Sequence, residues 1–157
     1  TQLDLSDLIM AKTIYDIRSL HTSVEKVFMD HRELKAIHPI DRGSADEKCN
    51  ERAKAIAKCL PLIRSNGMRL SEELISANDE LRSFQSLTGF QVVETAEGFV
   101  TFEGNGRRES IQRAFGNEEA IFVEVRHFRF ATKEIQNTIC RRVNRVRRWK
   151  SLLDSEV

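Results

Sequence analysis

Apolar residues in the first half of the chain recur at three- and four-residue spacing, and from Gly89 onward they alternate. With Leu3 as position a of a heptad, the register places Met10, Ile17, Val24 and His31 at a and Ser6, Thr13, Leu20, Val27 and Leu34 at d. Seven of these ten are apolar and neither Gly nor Pro interrupts them, which predicts one helix ending near Ile37. Ile14 and Phe28 at e widen the stripe beyond a two-stranded seam.

The segment IHPIDRGSADEK, with Pro39 and Gly43, predicts a break at about 38–45, with Ser44 or Asp46 as the next N-cap. A second block then places Cys49, Ile56, Ile63, Leu70, Ala77 and Phe84 at d and Ala53, Leu60, Gly67, Leu74 and Leu81 at a. Its phase survives Pro61 and Asn66-Gly67, so the expectation is one path kinked at 61–67, with a real interruption at Ser65 to Gly67 as the alternative. A helix of about 35 residues is about 52 Å long at 1.5 Å per residue, and its stripe must be covered. The blocks either fold back as a hairpin within one chain or pair with another copy or another subunit. The association seam is assigned to Ile17, Leu20, Val24, Val27, Ile56, Leu60, Ile63, Leu70, Leu74 and Leu81.

In the second half, GFQVVET and GFVTFEG read as two strands joined at Ala96-Glu97-Gly98. Asn105-Gly106 is a turn signal, ESIQRAFGN a helical turn or an irregular edge, and AIFVEVRHFRFA a third strand. Thr132 can cap a last helix whose Ile135, Ile139, Val143, Val146 and Leu153 face the sheet. The expected fold is therefore α+β: residues 1–86 form a coiled-coil or hairpin stalk, and residues 87–157 a small head of about three antiparallel strands and a C-terminal helix. Phe90, Phe102, Ile135 and Ile139 are its expected core.

Running from Leu81 and Phe84 into Leu87-Thr88-Gly89-Phe90 and a hairpin, the stretch at about 70–104 resembles the stalk-to-head junction of coiled-coil kinetochore and spindle-checkpoint proteins with an RWD-like head. That resemblance implies a dimeric nuclear scaffold of cell division, assembled through its helices and docking a protein through its head.

Composition narrows the function classes. Hydrophobic residues make up 40% and charged residues 31%, which suits a folded chain with a highly charged surface. Twenty-five basic against 24 acidic residues leave a net charge of +1, so the molecule as a whole has no strong pull on polyanions. Six of the ten residues from Arg141 to Lys150 are nevertheless basic: Arg141, Arg142, Arg145, Arg147, Arg148 and Lys150. Their face can hold an acidic protein or nucleic-acid phosphates, the latter with salt-sensitive affinity.

Three cysteines without close pairing, Cys49, Cys59 and Cys140, point away from a disulfide framework and toward a reducing, intracellular setting. No apolar run approaches a membrane span, and the start TQLDLSDLIMAK has no basic leader. His21, His31 and His38 lack metal-pair spacing, and neither a nucleophile motif nor a phosphate-loop motif occurs. The expectation is a non-catalytic scaffold without a cofactor or metal, associated through its helices; the alternative is a nucleic-acid-binding module working through 141–150.

Overall fold

The computed structural model describes residues 5–40 and 43–155, with side chains to Ser151. The first helix, α1, spans Leu5–Leu20 and stops there. His21–Asp30 is not its continuation but strand β1, ten residues long. Val24 and Val27 share a helical stripe in the heptad reading but point to opposite sides of a strand. The strand wins because β6 (Phe122–Phe130) runs antiparallel beside it from His21 opposite Phe130 to Asp30 opposite Phe122. Those hydrogen bonds span about a hundred residues of sequence and are invisible to a local repeat.

The second heptad block is likewise not one helix. It comprises α2 (Gly43–Lys58), α3 (Leu60–Ser65), β3 (Arg69–Leu70), α4 (Glu72–Ala77) and a 3-10 helix over Asp79–Phe84. Pro61 stands in the first turn of α3, where its missing N–H costs nothing, so it starts a helix rather than kinking one. Asn66-Gly67 is a true turn, and Met68 beyond it holds φ at 61° while its carbonyl accepts from Phe122 N at 2.8 Å.

The expected hairpin of β4 (Phe90–Thr95) and β5 (Gly98–Glu103) is present, with Thr95 opposite Gly98. It is followed by α5 (Asn105–Phe115), then β6 and α6 (Lys133–Ser155), whose first turn is capped by Thr132 Oγ1 accepting from Ile135 N at 3.2 Å. With β2 (Leu34–Ala36), the strands form one six-stranded mixed sheet in the order β1-β6-β4-β5-β2, β3 pairing beside β6.

The sheet therefore draws strands from both halves of the chain, and a stalk followed by a three-strand head does not describe it. Neighbouring Val92 and Val93 point to opposite faces. Val92 joins Ile56, Ile63, Ile111, Val123 and Val125 under α2, α3 and α5, whereas Val93 joins Ile17, Val100, Phe128, Ile139 and Val143 under α1 and α6. The architecture is a sheet between two helical layers. The junction at Leu87 to Phe90 follows the short 3-10 helix rather than a heptad helix, and Leu87 is 97% exposed. Leu3 lies outside the described residues.

Candidate anion-binding site

The residues assigned to an association seam do not lie on one surface. Ile17, Ile56, Ile63, Leu70 and Leu81 are fully buried core residues, split between the two faces of the sheet. Leu60, Leu74 and Val27 are half-buried against the same core. Of the set, only Leu20 and Val24 are well exposed.

The basic cluster on α6 is divided. Arg142 donates to Asp16 on α1 at 2.6 Å, Arg147 to Glu97 at 2.9 Å and to the Ala36 carbonyl at 3.0 Å, and Lys150 pairs with Asp7. These three fasten α6 to the fold. Arg141, Arg145 and Arg148 point to solvent, and among the described residues none of them meets a carboxylate.

A second concentration of positive charge was not legible as such. It lies where β5 ends and α5 begins, in Gly104-Asn105-Gly106-Arg107-Arg108. Gly104 is the N-cap at φ 99°, a left-handed conformation that suits glycine, and no side chain caps the helix. The first intrahelical bond is Arg108 N to Gly104 O at 2.9 Å, so the amides of Asn105, Gly106 and Arg107 form the uncapped start, where the helix dipole is positive.

Two guanidinium groups converge there. Arg107 is 8% exposed, its carbon 4.7 Å from the Phe90 ring centroid, and it donates to Gly89 O at 3.0 Å. Among the described residues no carboxylate pairs with it. Burial acts most strongly on this group and lowers its proton affinity; the charge of Glu103 opposes that, and the neighbouring Arg52 adds to it. The glycines on either side make the room: a Cβ on Gly104 would stand 3.1 Å from Arg107 Nη2 and 3.0 Å from the Phe90 ring.

Arg52 reaches over from α2. Its Nη1 lies 3.1 Å from where a Cβ on Gly106 would be, and it has no ion-pair partner among the described residues. Glu103, the nearby acid whose charge acts on Arg107, is paired with Arg18 at 3.0 Å. Asn105 and Arg113 hold the frame. Asn105 Oδ1 accepts from Ile37 N at 3.3 Å, and Arg113 ties α5 to Asp46 at 2.7 Å and to the Ile40 carbonyl at 2.7 Å.

Arg52, His38, Asn105, Gly106 and Arg107 line an open polar hollow of about 320 Å³, and Glu103 also stands on its wall. Through His38 and Ile40 it adjoins a second hollow of about 480 Å³, lined by Leu34, Ile37, Pro39, Arg108 and Arg147. The combination suits an anion: backbone donors, a favourable dipole and two cations that repel each other until a negative charge lies between them. The turn signal at Asn105-Gly106 was the one mark of this place in the sequence; the convergence of Arg52 with Arg107 depends on how α2 packs on α5.

Among the described residues no three His, Cys, Asp or Glu side chains converge as metal ligands, and no helix is long and apolar enough to cross a membrane. No known family matches the chain, and comparison with curated proteins and with solved structures finds no match. The likeness of the Leu87 to Phe90 junction to kinetochore heads gains no support from these comparisons.

Proposed function

We propose that the protein binds a phosphorylated small molecule about the size of a mononucleotide at the start of α5. Its phosphate is held by the amides of Gly106 and Arg107 and by the guanidinium groups of Arg52 and Arg107, and the rest of the ligand lies along His38 to Ile40 in the larger hollow. The observation that carries this reading is Arg107, a cation more than nine-tenths buried, with no carboxylate paired to it among the described residues, at an uncapped helix start. No catalytic role is assigned to any residue.

Isothermal titration with inorganic pyrophosphate and with a nucleoside triphosphate tests it. Wild-type protein should bind at least one of them, and R52E should lose at least tenfold in affinity. Absence of heat with both ligands at millimolar concentration would remove the proposal.

A second reading, protein docking, keeps one supporting observation. Val24 and Phe28 are 42% and 36% exposed on β1 at the sheet edge, and Leu20 at the end of α1 is 46% exposed. A second copy pairing through that edge would appear in light scattering as a mass that rises with concentration and falls in V24E. A constant monomer mass would dispose of the second copy.

A further inference from the structure

The phosphate pocket leaves the outer face of α6 unused. We propose that Arg141, Arg145 and Arg148 form a docking surface for the sugar-phosphate backbone of duplex DNA. At 3.6 residues and 5.4 Å per turn the three side chains stand within about 60° of one another and span about 10 Å along the helix. All three are exposed, and among the described residues no acid neutralises them, in contrast to Arg142, Arg147 and Lys150, each paired with an acid. Between Lys133 and Ser151 the sole acidic residue of α6 is Glu134, in its first turn.

The surface continues beside Arg141 as an open groove of about 520 Å³, lined by Lys133, Asn137, Arg141 and Asn144 and by Gln136, whose amide donates to the Glu94 carbonyl at 2.6 Å. Amide and cationic donors of this kind meet phosphate oxygens without reading bases. The choice of a duplex rests on what is absent from this face. Single strands are held by stacking on exposed aromatic rings; Trp149 is half-buried, and the well-exposed aromatics Tyr15, Phe28 and Phe122 belong to α1, β1 and β6.

The test is fluorescence anisotropy with a labelled 20-base-pair duplex, comparing the full chain with R141E/R145E/R148E, with the milder R141Q/R145Q/R148Q, and with K48E/K54E/K58E on α2, which alters net charge equally on another surface. Three phosphate contacts predict a salt slope of about −2.7, or about a 40-fold loss of affinity between 50 and 200 mM salt. The Arg-to-Glu variant should lose binding at 50 mM, the Arg-to-Gln variant most of it, and the α2 variant little, while pyrophosphate titration is unchanged in the two α6 variants. No binding by the wild type at 50 mM, equal loss in the α2 variant, or equal affinity for a single-stranded 20-mer would each overturn the proposal.

Discussion

The guanidinium carbon of Arg107 stands 4.7 Å from the Phe90 ring centroid, and among the described residues no carboxylate forms an ion pair with it. A ring face and one carbonyl hold such a group in place but leave most of its five donors unused. This is a costly way to stabilise a fold, since an unpaired buried charge usually weakens it. The same arrangement suits a pocket that waits for an anion.

Replacing Arg107 with Met therefore separates two roles. If the side chain serves a ligand, R107M changes the stability of the free protein by less than about 2 kcal/mol, because the lost contacts are offset by relief of a buried charge. The increase in Tm that pyrophosphate gives the wild type then disappears. A several-degree drop in Tm of the free protein with the pyrophosphate response intact would assign Arg107 to structure instead.

Gly104 is the hinge of the cradle. At φ 99° an alanine is strained, and its Cβ would press on Phe90 and on Arg107 Nη2. G104A should cost about 1–3 kcal/mol in urea denaturation and weaken pyrophosphate binding as well. An unchanged urea midpoint would show that the loop adapts.

Ile63 distinguishes a core residue from an interchain one. It is fully buried between α3 and the sheet. I63A should cost about 2–5 kcal/mol of stability through the cavity it leaves, with no change in the mass seen by light scattering. Loss of a dimer at unchanged monomer stability would restore the seam reading for that position.

Stability should fall on mild acidification. Burial lowers the pKa of both His31 and His127 below the ordinary 6.5, against the pull of the Glu119 carbonyl and Asp30 on His31 and of Glu94 and Glu25 on His127. Above pH 6.5 neither ring is protonated in either state, so nothing is lost there. Below it the unfolded chain takes up protons that the folded one refuses, and stability declines until the folded pKa values are passed. Burial would raise Glu72, but Lys26 and Arg126 outweigh it and lower its pKa, so a further decline begins near pH 4.5 as the unfolded carboxylate protonates first. Urea midpoints measured from pH 8 to pH 4 check this, and a flat profile between pH 7 and 5 would contradict the histidine part.

Where elements were short-range, the sequence sufficed. The alternation in Phe90 to Thr95 and Gly98 to Glu103, the turn between them, the strand at Phe122 and the Thr132-capped helix with Ile139, Val143 and Val146 inward are all local patterns, and all are present. Side-chain period and capping chemistry act within a few residues, and a linear reading sees them. It also marked the basic stretch at Arg141 to Lys150, though not which of its cations the fold would consume.

The tertiary structure decided the rest, because the competing energies were long-range. Val24 and Val27 satisfied a heptad as well as a strand, and only the distant β6 tipped the balance. Asn66-Gly67 kept the phase of a heptad yet ended a helix, and Pro61 kept it yet began one, since buried contacts on a sheet can follow three-residue spacing without a continuous helix. The meeting of Arg52 with Arg107 has no counterpart in sequence spacing at all; 55 positions apart, they are brought together by the packing of α2 on α5.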